Sequence, residues 1–166
     1  MAAVVRFCTA VFALAIAGQP AFAATLTGTV VRVVDGDTVT VLDASKTQHR
    51  IRLAGIDAPE RGQPFGEASR KHLGSLVAGK RVIIEWHKRD RYGRIVGKIM
   101  QGATDAGLDQ IRAGMAWHYK KYEREQSAED RKLYAGAEVT ARTRRFGLWV
   151  EDRAAPPWEY RKASKR

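Results

Sequence analysis

Three short clusters hold the side chains of this sequence best suited to chemistry. They are Asp35-Gly36-Asp37-Thr38, Arg52-Leu53-Ala54-Gly55-Ile56-Asp57-Ala58-Pro59-Glu60 and Asp90-Arg91-Tyr92-Gly93-Arg94. Each alone reads as an ordinary turn. Asp-Gly is a favoured hairpin connection, Pro59 fixes the backbone beyond a strand, and Tyr-Gly-Arg suits a surface bend. Their combined chemistry argues against three coincidences. Asp37, Asp57 and Glu60 fall at strand ends, and two carboxylates with a backbone carbonyl make a hard, oxygen-only site suited to Ca²⁺ or Mg²⁺. Arg52 and Arg94 offer planar forks that match a pair of phosphate oxygens. A third carboxylate can accept a proton from water. A metal, arginines and a base are the parts that phosphodiester hydrolysis requires.

The rest of the composition agrees with a polyanionic partner. The chain has 166 residues, with 29 Lys and Arg against 18 Asp and Glu, for a formal charge of +11. That excess attracts nucleic acid, an acidic membrane surface or an acidic polymer without choosing among them. With 45% apolar residues, the chain can bury a core of one compact domain. Arg6, the apolar run over residues 7–17, the Gly18-Gln19-Pro20 break and Ala21-Phe22-Ala23 together predict a cleaved export signal over residues 1–23. The run is too short to span a bilayer, which takes about 20 apolar residues. Export to the periplasm or the medium is therefore expected, with no stable membrane association afterwards. Cys8, the one cysteine, would leave with the signal, which excludes disulfides, thiolate nucleophiles and cysteine zinc sites from the mature protein. The chain contains no Asn, so it has no N-glycosylation sequon.

Elements able to position the clusters follow from hydrophobic periodicity. Strands are predicted over residues 26–34, 38–42, 49–53, 81–86 and 95–100, with Asp35-Gly36-Asp37 as a hairpin turn. Phe65, Ala68, Leu73, Leu76 and Val77 fall at helical spacing before Gly79, and residues 108–113 read as a short helix. Ser127 with Asp130 resembles a capping box opening a helix to about Arg145. Three strands, a helix, two strands and two helices suit an α+β fold, a five-stranded Greek-key barrel of the OB type with three α-helices.

In this order the clusters resemble the thermonuclease family of calcium-dependent nucleases related to the staphylococcal enzyme. Phe65-Gly66-Glu67-Ala68, Ala113-Gly114-Met115-Ala116-Trp117 and Gly147-Leu148-Trp149 are similar to its later signatures, so the likeness runs over about residues 25–160. The resemblance implies a nuclease domain over residues 24–152, followed by a basic tail over residues 153–166. It implies that Asp37 and Asp57 ligate Ca²⁺ together with the Ala58 carbonyl, and that Asp35 supports them. Glu60 would act as base on, or orient, the attacking water, while Arg52 and Arg94 hold the phosphate. Tyr92, Trp117 and Tyr119 lie where the family places substrate contacts. The implied reaction is endo- and exonucleolytic hydrolysis of DNA and RNA, leaving 3′-phosphates, with single strands preferred and a monomeric enzyme. So few ligands predict weak calcium binding, on the order of 10⁻⁴ to 10⁻³ M, which an exported protein can meet. The chain departs from the best-known member in a short stretch over residues 60–66 and in the aromatic spacing before Lys120.

Two rivals share these residues. A non-catalytic OB module could bind single strands with the basic runs Lys120-Lys121 and residues 142–145, but binding alone gains nothing from carboxylates facing phosphates. His118, Lys120 and Glu125 approach the H-x-K-x₄-D motif of phospholipase-D-like nucleases, with Glu in place of Asp; a polar segment flanking a helix is the preferred reading. In the tail, Trp158 and Tyr160 are able to pack back, and residues 162–166 are expected to form a mobile arm.

Overall fold

The computed structural model of the protein describes residues 24–164. The expected signal, residues 1–23, lies outside the described residues. β-Branched residues at alternate positions build β1 (Ala24–Val33), β2 (Thr38–Asp43) and β3 (Gln48–Leu53), an antiparallel meander. Two residues of β4 (Ile56–Asp57) lead to α1 (Gly66–Val77), and β5 (Arg81–Arg89) and β6 (Ile95–Gln101) follow. Then come β7 (Thr104–Asp105), α2 (Ala106–Arg112), β8 (Trp117–His118), α3 (Ala128–Thr143) and α4 (Pro157–Ala163).

The main sheet runs β3-β2-β1-β5-β6-β7, and β3 also pairs with β6 in parallel, Ile51 opposite Ile95 and Arg52 opposite Val96. That second pairing closes five long strands into the expected barrel. Bulges between Val30 and Arg32 and between Trp86 and Lys88 bend the strands that must curve. The interior is filled by Val39, Val41, Ile51, Leu53, Ile84 and Ile99, each no more than 2% exposed. Each such side chain contributes roughly 1.5–3 kcal/mol by leaving water. A second cluster, formed by Trp117, Ala141, Leu148 and Trp149, lies outside the barrel, with Phe65, Ala154 and Trp158 half-buried against it.

The predicted strands and the three helices are present, and Ser127 Oγ accepts the Asp130 amide at 3.0 Å as the capping box requires. Two expectations are corrected. Ala68 is exposed, and Ser69 faces inward instead because α1 passes against the Gly36 turn: a Cβ on Gly36 would strike Ser69 Oγ. In the tail, Trp158 and Tyr160 do pack back. Lys162 and Ala163, placed in a mobile arm by the sequence, close a fourth helix that packs through buried Pro157 and half-buried Trp158.

Candidate active site

The β1–β2 turn delivers Asp35 and Asp37. Asp35 Oδ1 accepts the Asp37 amide at 3.0 Å, an Asx turn that aims Asp37 inward. Asp37 is then tied down on both oxygens: Oδ1 accepts Thr38 Oγ1 at 3.0 Å and Oδ2 accepts the Ala58 amide at 2.9 Å. Its carbonyl accepts the Leu53 amide at 2.8 Å, so the turn is stitched to the segment carrying Asp57. The Gly36 carbonyl accepts Gln110 Nε2 from α2 at 2.6 Å, which fixes the turn from behind.

Arg52 stands opposite Thr38 in the β2–β3 ladder, and this register places its guanidinium between two aspartates. Nη1 lies 3.0 Å from Asp37 Oδ2 and Nη2 lies 2.9 Å from Asp57 Oδ1. The Asp57 side chain is fully buried. Burial pushes its carboxyl above the ordinary range, against the pull of Arg161 and Arg52. Burial and the neighbouring charge of Asp37 push Asp35 up to about 6. Carboxylates kept in company at such a cost are a common mark of a working site.

Glu60 sits on the loop after β4. Its amide donates to Gln63 Oε1 at 3.1 Å, and its carbonyl accepts the Gln63 amide at 2.9 Å. A side chain at Gly66 would run into the Glu60 carbonyl, so glycine lets α1 begin against this loop. The Glu60 side chain is 38% exposed and accepts Arg161 Nη1 at 2.6 Å. Arg94 comes from the β5–β6 turn, where Asp90 Oδ2 accepts its Nε at 2.7 Å, and its Nη1 stands 3.5 Å from Thr38 Oγ1. Tyr92, at the tip of that turn, is 68% exposed, with the Arg91 and Arg94 guanidinium groups over its ring.

The structure thus gathers Asp35, Asp37, Arg52, Asp57, Ala58 and Glu60 at one place, with Arg94 close to the same turn. The aromatic residues divide. Tyr119 is half-buried; burial and then the charge of Asp57 raise its phenol, and its ring stacks on Trp158 at 5.4 Å. Trp117 offers no face to a base. It is buried between Trp149 and Trp158, with ring centroids at 4.3 and 5.6 Å, and belongs to the second hydrophobic cluster. His118 is also buried and paired with Gln126, out of reach of an incoming phosphate.

The residue missed by the sequence reading is Arg161 of α4. Its fork spans Asp57, with Nη1 3.2 Å from Oδ1 and Nη2 2.7 Å from Oδ2, while Nη1 also reaches Glu60. Burial works against its charge, but the bonds to Asp57 and Glu60 outweigh that and raise its pKa. Nothing in the spacing signals a partner 101 residues away in the chain.

As a donor set, oxygens of Asp37 and Asp57 suit a small hard cation. Among the described residues, no group of three or more His, Cys, Asp and Glu side chains is arranged to hold a metal ion.

Acidic and arginine side chains gathered beside a closed OB-type barrel suit the cleavage of phosphodiesters. Residues 50–151 match the family described as Staphylococcal nuclease homologue. An uncharacterized endonuclease of Escherichia coli is 40% identical over 143 residues, covering 86% of this chain and 89% of its own length. A micrococcal nuclease of Shigella flexneri is 38% identical over 147 residues, covering 83% and 82%. The staphylococcal-like nuclease CAN1 of Arabidopsis thaliana is 38% identical over 113 residues, covering 68% of this chain and 33% of its own. The chain belongs to the staphylococcal nuclease homologue family and is a nuclease that hydrolyses phosphodiester bonds. The reading as a non-catalytic binding module is thereby set aside.

Proposed function

We propose that the protein is an exported, monomeric, Ca²⁺-dependent nuclease that hydrolyses DNA and RNA, single strands preferentially, and leaves 3′-phosphates. The observation that carries this reading is the grip of one guanidinium, that of Arg52, on two buried carboxylates, Asp37 and Asp57. In this reading Asp37, Asp57 and the Ala58 carbonyl hold the cation, and Asp35 orients Asp37 through the bond to its amide. The chemistry supplied by bound calcium is Lewis-acid polarisation of the phosphate. Glu60 orients a water and takes its proton as the water oxygen bonds to phosphorus and the bond to the 5′ oxygen breaks. Arg52 and Arg94 hold the non-bridging oxygens as charge builds on them. Tyr92, exposed beside two arginines, and the outer edge of Tyr119 offer stacking surfaces to unpaired bases.

The test is digestion of end-labelled single-stranded DNA, and of RNA, by the purified protein in millimolar calcium and again with excess chelator. Cleavage that stops on chelation and leaves 3′-phosphate ends supports the reading. Cleavage that ignores the chelator removes calcium from it.

A further inference from the structure

The C-terminal helix α4 and the segment leading into it meet the Glu60 loop at three points. Tyr160 Oη donates to the Gly62 carbonyl at 3.0 Å, Gln63 Nε2 donates to the Ala155 carbonyl at 2.6 Å, and Arg161 Nη1 donates to Glu60 Oε1 at 2.6 Å. The Arg161 fork is also seated on Asp57, whose side chain is fully buried and cannot swing away. Behind this contact the helix is fixed by Trp158, which stacks on Tyr119 and meets Trp117 edge-on. Buried Pro157 completes the anchor.

This arrangement bears on what a base must do. Glu60 lies on a loop with its side chain 38% exposed, and a glutamate so placed keeps much of its rotamer freedom unless a partner holds it. Catalysis requires one orientation, and a misplacement of about 1 Å costs on the order of 10²-fold in rate. A planar guanidinium with one edge on a buried aspartate can hold the glutamate with a remaining N–H. A blocking latch would need a helix able to leave, whereas the contacts that fix α4 are part of the second hydrophobic cluster.

We propose that Arg161 is a positioning residue of the hydrolysis: anchored on Asp57, it holds the Glu60 carboxylate in the orientation from which it acts on water. Helix α4 is then part of the active site. The inference rests on the role given to Glu60 above.

The test is a double-mutant cycle in the full chain, with steady-state kinetics on a single-stranded oligonucleotide in calcium. The forms compared are the parent, Arg161→Ala, Glu60→Gln and the double variant. Arg161→Ala should lower kcat by roughly 10- to 10²-fold with KM little changed. In the Glu60→Gln background the same change should alter kcat by less than about twofold, because the group it positions is gone. Arg161→Lys, which keeps the charge and one contact, should recover part of kcat. Tryptophan fluorescence reports that Trp158 remains packed in each form.

Unchanged or faster turnover by Arg161→Ala overturns the inference, faster turnover indicating a latch. A full penalty persisting in the Glu60→Gln background also overturns it, since Arg161 would then act through Asp57 or the fold. If Glu60→Gln itself turns over like the parent, the role of Glu60 falls and the positioning of it falls too. Impaired Glu60→Gln beside unimpaired Arg161→Ala sinks the inference alone.

Discussion

Two groups of carboxylates, among those this protein withdraws from water, are satisfied in different ways. Asp105 and Asp130 share the Lys98 ammonium, at 3.4 and 2.8 Å. Asp105 Oδ1 also caps α2 by accepting the Gly107 and Leu108 amides, and Tyr134 Oη donates to Asp105 Oδ2 at 2.9 Å. Burial works against the charge on Lys98, yet the two aspartates outweigh it and raise its pKa. Every donor there is one that a helix cap, a strand or α3 already supplies. In the Asp35, Asp37 and Asp57 group, by contrast, the counter-charges are two arginine forks brought in from β3 and α4, and burial still drives Asp35 and Asp57 upward. The first group holds α2 and α3 to the barrel. The second draws its partners from β3 and α4 to one spot, the arrangement on which the proposed phosphate chemistry rests.

The sharpest way to break this division is Arg52→Ala, since the proposed reading gives Arg52 a part in both chemistry and charge balance. Cleavage should fall by roughly 10²- to 10³-fold, and urea unfolding should show a loss of about 3–5 kcal/mol, because two buried carboxylates lose a partner. Arg94→Ala is the companion measurement. Its pair with Asp90 belongs to a surface turn, so cleavage should suffer as much while stability moves by no more than about 1 kcal/mol.

Lys98→Met probes the other group. Stability should drop by about 3 kcal/mol in the same urea experiment, with kcat unchanged at a temperature where the variant is folded. A matching loss of kcat would erase the distinction between the two groups.

The smallest effect is expected from Tyr134→Phe, about 1.5 kcal/mol for one bond to a carboxylate. Burial and then Asp105 hold the Tyr134 phenol well above its ordinary value of 10. The fold requires the protonated form, so the stability tied to it is complete below the unfolded pKa and lost as pH rises above it. The parent's unfolding midpoint should therefore fall as the pH rises from about 10 upward, and Tyr134→Phe should flatten that fall.

The barrel was legible because its strands carry period-two runs of Val, Ile and Leu, and α3 because Ser127 and Asp130 announce its start. The strands β4, β7 and β8 escaped, since two residues each show no period. Helix α4 escaped for a different reason: it is seven residues long, opens at Pro157 directly after Pro156 and carries charge at Glu159, Arg161 and Lys162. Asp37, Arg52, Asp57 and Glu60 could be gathered because each lies at or near a strand end, whereas Asp35 and Ala58 were added by the family resemblance. Arg161 could not, as its place depends on Trp158 finding Tyr119 and Trp117. That packing also explains Trp117, whose exposure could not be judged before its neighbours Trp149 and Trp158 were in position.

The parallel pairing of β3 with β6 carries a consequence in time. It joins residues 44 positions apart, Ile51 with Ile95, and contacts of such separation form late because a long loop must first close. Arg52 and Arg94 flank that pairing, so the two guanidinium groups meet only when the barrel shuts. A chain still folding has arginines on two unconnected pieces and no grip on a phosphate. Recovery of cleavage after dilution from denaturant therefore serves as a clock for barrel closure, running behind the signals of the β1–β2–β3 meander.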